Sequence, residues 1–73
     1  MKIDCGHPGQ CRFTMSESEY RAFLRDDIGL CLNCGGEREA CEPDARKYPC
    51  PDCREPSVYG AEELLLRGRI TLT

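Results

Sequence analysis

The sequence predicts a small α+β domain stabilised by a metal, and three observations support this. The chain has 73 residues, and a core of that size usually needs a metal, disulfides or oligomerisation to be stable. Seven residues are cysteine, and four of them form two Cys-x-x-Cys pairs, CLNC and CPDC. Two stretches also carry the apolar period and the end signals of short helices. We therefore expect a single domain over residues 1–73.

The first section, residues 1–30, is predicted to be a turn followed by an amphipathic helix. The turn is indicated by Gly6, Pro8 and Gly9, and short extended segments, KID and RFT, should flank it. Ser16 and Glu19 have the spacing of a capping box, which starts a helix. An apolar stripe follows, and Gly29 is expected to end the helix near residues 26–28. The stripe is interpreted as core packing, and its members are Tyr20, Phe23, Leu24 and Ile28.

The second section, residues 31–59, is predicted to be the metal module. The spacing C-x2-C-x15-C-x2-C is typical of zinc sites, because each short turn directs two sulfurs at one point. We therefore expect one Zn²⁺ on Cys31, Cys34, Cys50 and Cys53. This gives a zinc ribbon with two zinc knuckles, a short hairpin between the pairs and a brief strand at 57–59. A site with four sulfur ligands has no open position, so the metal would be structural.

The remaining donors leave the number of metal ions open. Seven cysteines and one histidine make eight donors, which is enough for two tetrahedral sites. One partition puts the second zinc on Cys5, His7, Cys11 and Cys41. Another pairs Cys5 and Cys11 with the first Cys-x-x-Cys, leaving His7 and Cys41 with the second. The simpler alternative is that these cysteines are small buried or free thiols and His7 is a solvated turn residue.

The third section, residues 60–73, is predicted to be a two-turn helix and an extended tail. Acidic residues open the segment GAEELLLRG, Arg67 lies at its end and Gly68 follows as a cap. The tail RITLT alternates like a strand, which would lie at a sheet edge or fray. Leu64, Leu65 and Leu66 span about 200° of a helix circumference, more than one small core can cover. At least one of the three should therefore stay exposed and be available to a partner.

Composition and motifs also argue against several functions. PCPDC matches half of the zinc deaminase signature, but the only histidine, His7, is not followed by the required glutamate. One histidine also cannot supply a hydrolytic zinc site, so we expect no enzyme. The formal net charge is −3, which does not favour binding to nucleic acid. No stretch resembles a signal peptide or a membrane span. A cytoplasmic protein is expected, and in that compartment such spacing indicates metal more often than disulfides.

From Cys31 onward the sequence is similar to small zinc-ribbon proteins of bacterial and phage genomes, mostly of unassigned function. CLNCGGE, EPDARKYPCPDC and VYGAEELLL carry this resemblance, which implies a zinc ribbon on the paired cysteines and a cytoplasmic location in a bacterium or a phage-infected host cell. The two knuckles also resemble those of rubredoxin, which holds iron, although Arg54 stands where that family usually has glycine. Sulfur-only tetrahedral sites accept either metal.

These observations favour a non-enzymatic zinc-ribbon module or adaptor that binds a protein. Arg46, Leu64, Leu65 and Leu66 are the candidate partner-binding residues, and a homodimer is one form that such binding would take. The first alternative is a ribbon that binds nucleic acid through Arg38, Arg46, Lys47, Tyr48 and Arg54. The second is a rubredoxin-like iron electron carrier.

Overall fold

The computed structural model describes residues 1–7 and 9–73, which form two small sheets and two helices. The N-terminal sheet has the strand order β1-β2-β6 and the second sheet the order β4-β3-β5. The elements are β1 Lys2–Asp4, β2 Arg12–Met15, α1 Glu17–Arg25, β3 Gly29–Cys31, β4 Glu37–Arg38, β5 Val58–Gly60, α2 Ala61–Leu66 and β6 Ile70–Leu72. The predicted α+β class is confirmed.

The N-terminal sheet joins the two ends of the chain. Strands β1 and β2 are antiparallel, with Ile3 opposite Phe13, and β6 lies parallel to β2, with Ile70 opposite Phe13. The extended segments predicted on either side of the N-terminal turn are confirmed, although Pro8 of that turn lies outside the described residues. The tail is a strand at the sheet edge, as its alternation indicates.

Helix α1 begins with the predicted capping box. The Glu19 amide donates to Ser16 Oγ at 3.1 Å, and the Ser16 amide donates to Glu19 Oε1 at 3.1 Å. The prediction that Gly29 ends this helix is wrong. The left-handed residue after the helix is Asp27, with φ 52°, while Gly29 begins β3. Glycine is needed there for packing, because a Cβ on Gly29 would lie 2.3 Å from Cys41 Sγ.

The second sheet carries the cysteine-rich part of the chain. Its central strand is β3, which pairs with β4 through Leu30 and Glu37 and with β5 through Cys31 and Val58. The expectation of a hairpin between the two cysteine pairs is wrong: the hairpin is formed by β3 and β4 and turns through the first pair, because the Cys-x-x-Cys segment itself reverses the chain. The second pair precedes β5, and an isolated bridge joins Tyr48 to Val58.

The buried side chains form two neighbouring clusters, one between the helices and the N-terminal sheet and one around the cysteines. The first contains Cys11, Phe13, Met15, Leu30, Leu32, Tyr59, Ala61, Leu64 and Ile70. The second contains Cys31, Cys41, Ala45, Cys50 and Val58. Since β3 contributes Leu30 to one and Cys31 to the other, this strand fixes the cysteine-rich region to the rest of the chain. Neither helix in the described part of the chain is long and apolar enough to cross a membrane.

Candidate metal centre

The two Cys-x-x-Cys pairs meet at one point of the structure. The Sγ atoms of Cys31, Cys34, Cys50 and Cys53 all lie within 4.8 Å of one another. Two of the distances between the pairs are 3.7 Å, from Cys31 to Cys53, and 3.6 Å, from Cys34 to Cys50. Four sulfurs placed tetrahedrally at about 2.3 Å from a zinc ion would be separated by about 3.8 Å. The four cysteines could therefore hold a metal ion with little rearrangement.

The first turn, residues 31–36, leaves strand β3 and directs its amides at the sulfurs. The amides of Asn33 and Cys34 donate to Cys31 Sγ at 3.3 and 3.4 Å, and the Gly36 amide donates to Cys34 Sγ at 3.4 Å. The Gly35 amide closes the turn on the Cys31 carbonyl at 2.9 Å, with Gly35 at φ 79°. This arrangement stabilises thiolates, because backbone donors partly compensate their charge.

The second turn, residues 50–55, repeats the same path. The amides of Asp52 and Cys53 donate to Cys50 Sγ at 3.4 and 3.5 Å, and the Arg54 amide donates to the Cys50 carbonyl at 2.9 Å. Arg54 takes the left-handed conformation of Gly35, with φ 67°. A backbone hydrogen bond from the first cysteine also closes each turn. The Cys31 amide donates to the Gly36 carbonyl at 2.8 Å, and the Cys50 amide donates to the Glu55 carbonyl at 2.9 Å.

Two contacts join the turns directly, and the sequence did not indicate either of them. The Asn33 side-chain amide donates to Cys53 Sγ at 3.4 Å. A Cβ on Gly36 would lie 2.4 Å from Asp52 Oδ2, so glycine at 36 allows the second turn to approach the first. Asn33 and Asp52 occupy the variable positions of the two motifs, and spacing alone carries no information about them.

The two turns give their sulfurs different acidities. The Asn33 amide, followed by the Glu55 backbone, lowers the pKa of Cys53 to about 7. Burial raises the pKa of Cys31 to about 12. A cation at the centre opposes the effect of burial, because it stabilises a coordinating thiolate. Thus Cys53, with its pKa of about 7, is about half ionised at neutral pH, while Cys31 would need a bound cation in order to lose its proton.

The second predicted set of donors is not brought together. Cys5 and Cys11 are joined in a disulfide, so neither offers a thiolate to a metal in this structure. His7 is exposed, and Cys41 is buried beside Gly29. Within residues 1–7 and 9–73, the four paired cysteines are the group of metal-binding side chains that the structure assembles. The odd cysteine count is thereby divided into four clustered thiols, one disulfide and one buried thiol.

The candidate partner-binding residues lie on or beside α2. Leu64 is fully buried and Leu66 is 77% exposed, with Leu65 half-buried against the core. The expectation that at least one of the three leucines stays exposed is confirmed. Arg46 lies on the loop between β4 and β5, and its Nε is 3.1 Å from Glu63 Oε1 of α2.

Comparisons with models of protein families, with curated proteins and with solved structures found no match.

Proposed function

We propose that this chain is a zinc-ribbon binding module, without catalytic activity, that docks onto another protein. The observation that carries the proposal is the cluster of four sulfurs, all within 4.8 Å of one another and 3.6–3.7 Å apart in two of the contacts between the pairs. Thiolate ligands favour zinc or iron over harder cations. Because protein sulfur would fill all four positions, the metal holds the fold and leaves no site for substrate or water.

The metal region and α2 are built as one unit. The Gly60 amide donates to Ala45 O at 3.0 Å and the Glu63 amide to Pro43 O at 3.0 Å. A Cβ on Gly60 would lie 2.1 Å from Glu42 O, so the loop needs glycine at this position. These contacts fix α2 to the loop that leads into the second turn.

Charged side chains strengthen the contact between α2 and the loop at residues 42–46. Glu63 is buried, and Arg46 and Arg67 pair with its two carboxylate oxygens at 3.1 and 2.7 Å. Hydrogen bonding from Arg67 lowers the pKa of Glu63, burial raises it, and the contact with Arg46 lowers it again. The net result is a pKa below the ordinary value. Arg67 also stacks over the ring of Tyr59, with 4.5 Å from its guanidinium carbon to the ring centroid. Helix α2 is therefore a rigid support.

This rigid support presents an apolar side chain to solvent, which favours a protein partner. Leu66 ends α2 with 77% of its surface exposed. A single exposed leucine is common on protein surfaces, but the backbone of this one is already fixed as the last residue of α2. Preorganised apolar anchors lose less entropy on binding than flexible ones.

The nucleic-acid alternative is less favoured, because two of its basic residues already have intramolecular partners. Arg38 donates to Pro49 O at 2.7 Å and lies over the Tyr48 ring. Arg46 is paired with Glu63, and Tyr48 donates its hydroxyl to Glu42. Retention on immobilised DNA or RNA that falls steeply with salt would overturn this preference.

Metal analysis tests the first half of the proposal. We expect one zinc ion per chain, bound by a colourless protein, and loss of that zinc in Cys50→Ser. A red protein containing iron would support the rubredoxin-like alternative instead. Protein without stoichiometric metal would contradict both.

Partner capture tests the second half. Immobilised zinc-loaded protein should retain a discrete host protein that Leu66→Glu fails to retain. The matched control is Leu72→Glu, which adds the same charge at a leucine that is 40% exposed on β6. Equal capture by both variants would show that Leu66 is not the contact, and no saturable binding by wild type would contradict the adaptor role.

A further inference from the structure

The disulfide lies against the first cysteine turn. Cys5 and Cys11 connect the end of β1 to the start of β2. Cys11 is fully buried in the core beside Leu30 and Leu32, whereas Cys5 is exposed. The disulfide therefore joins a cysteine that is fixed in the core, Cys11, to one that is accessible to solvent, Cys5.

Two contacts link this disulfide to the residues that surround the metal ligand Cys34. The Cys11 amide donates to the Leu32 carbonyl at 3.0 Å. A Cβ placed on Gly35 would lie 3.3 Å from Cys5 Sγ and 2.9 Å from Ile3 Cγ2. Ile3 and Cys5 thus pack against the first turn at Gly35. The pairing of β1 with β2 holds Ile3 there, and the disulfide holds Cys5.

We propose that Cys5–Cys11 is a thiol–disulfide switch that sets how firmly the four-cysteine centre retains its metal. The proposal rests on metal binding at that centre, as proposed above. The disulfide form keeps Cys5 against the first turn and retains the metal longer. In the dithiol form Cys11 stays in the core, but Cys5 is released from Gly35, and the first turn opens more often.

The chemical step requires a dithiol reductant. One thiolate of the reductant attacks Cys5 Sγ, because Cys5 is the exposed partner. The bond between Cys5 and Cys11 breaks, and Cys11 leaves with the electron pair and takes up a proton. The second thiol of the reductant then attacks the mixed disulfide and releases Cys5, which also takes up a proton. The protein gains two electrons and two protons, the reductant becomes a disulfide, and the four metal-bound thiolates keep their oxidation state.

The metal centre and the disulfide respond to the same redox conditions. The four clustered cysteines hold a metal only as thiolates, so they require conditions in which free thiols persist. Under the same conditions a disulfide with one exposed residue, Cys5, is open to exchange. The chain thus places a reducible bond next to thiols that must remain reduced.

Metal transfer to a chromophoric chelator tests the proposal. The zinc-loaded protein is measured with the disulfide intact and after treatment with a phosphine reductant that does not itself use thiols. Mass spectrometry counts the two added hydrogen atoms. We expect zinc release to be several-fold faster after reduction, together with faster amide exchange in residues 31–36 and a smaller change in residues 50–55.

Two variants separate the disulfide from other effects of the reductant. Cys5→Ser removes the disulfide at an exposed position and should release zinc rapidly with or without the phosphine. Cys41→Ala removes a thiol that belongs to neither the disulfide nor the four-sulfur set; because Cys41 packs in the same cluster as Cys31 and Cys50, its absolute release rate serves no comparison, but the phosphine should accelerate release by the same factor as in wild type. Release rates that are equal in intact, reduced and Cys5→Ser protein would overturn the switch, as would a disulfide that the reductant cannot open. Intact protein that binds no zinc would contradict the proposed function itself, so the two failures are distinguishable.

Discussion

The two cysteine turns follow one backbone path but lie in different surroundings. The first begins in β3, the central strand of its sheet, and its leading residue Cys31 is fully buried. The second is preceded by irregular chain; its leading residue Cys50 is also buried, but its last residues Arg54 and Glu55 are exposed. The shared path comes from the amides that each turn directs at sulfur. The stability of each turn, by contrast, depends on what packs around it.

The left-handed residue of each turn illustrates the difference. In the first turn it is Gly35, and Ile3 and Cys5 lie so close that a side chain would collide with them. In the second turn it is Arg54, with φ 67° and a solvent-exposed side chain. A residue other than glycine is sterically tolerated at 54 but still adopts an unfavourable backbone conformation. The first turn therefore favours glycine at 35 both for its positive φ and for lack of space, whereas the second turn favours glycine at 54 for its positive φ alone.

The largest expected effect follows removal of the metal. Structural zinc contributes about 10–16 kcal/mol in small modules, more than a core of this size supplies. A strong chelator should therefore unfold residues 31–59. The second turn should lose protection first, because the first is held by β3 and packs against Ile3 and Cys5. Amide exchange followed residue by residue after chelation measures this order. Simultaneous loss in both turns would show that their surroundings do not matter, and near-native spectra of the zinc-free protein would contradict the structural role of the metal.

A smaller effect is expected from Gly35→Ala. Alanine is unfavourable at φ 79° by about 1 kcal/mol, and its Cβ would lie 2.9 Å from Ile3 Cγ2, which must shift. We expect a total loss of about 1–3 kcal/mol, measured by urea unfolding of the zinc-loaded protein.

A double-mutant cycle separates the two causes of this loss. In an Ile3→Ala background, Gly35→Ala should cost less, because the collision with Ile3 Cγ2 is removed and what remains is the backbone term and the tight approach to Cys5 Sγ. The same cost in both backgrounds would show that Ile3 does not press on the first turn.

Much of this comparison could be predicted from local sequence. The spacing of the two pairs predicted which four sulfurs assemble, since each short turn is determined by its own residues. Ser16 and Glu19 predicted the start of α1 for the same reason. The exposure of at least one of three adjacent leucines followed from helix geometry, although the sequence did not indicate that it would be Leu66. In all three cases the determining residues lie within a few positions of one another.

Features that depend on distant packing were not predicted. The pairing of Cys5 with Cys11 requires β1 and β2 to lie side by side, and the sequence left a second metal site open instead. The role of Gly29 depends on Cys41, which approaches it in the folded chain rather than in sequence. Asn33 binds a sulfur of the opposite turn, so no pattern within its own motif indicates it.

The smallest expected effect is a gain in stability from Arg54→Gly. Glycine adopts positive φ without the steric penalty that arginine has, so this variant should be more stable by about 1 kcal/mol. Part of that gain is offset because glycine also makes the unfolded chain more flexible. Arg54→Ala is the matched control: it removes the same charge but keeps the backbone penalty, so its stability should stay near that of wild type. Urea unfolding of the three zinc-loaded proteins measures the difference, and the midpoint of Arg54→Gly should be the highest. If Arg54→Ala gains as much as Arg54→Gly, the charge of Arg54 rather than its conformation limits the second turn. If Arg54→Gly loses stability, the arginine side chain stabilises the second turn by more than its backbone conformation costs.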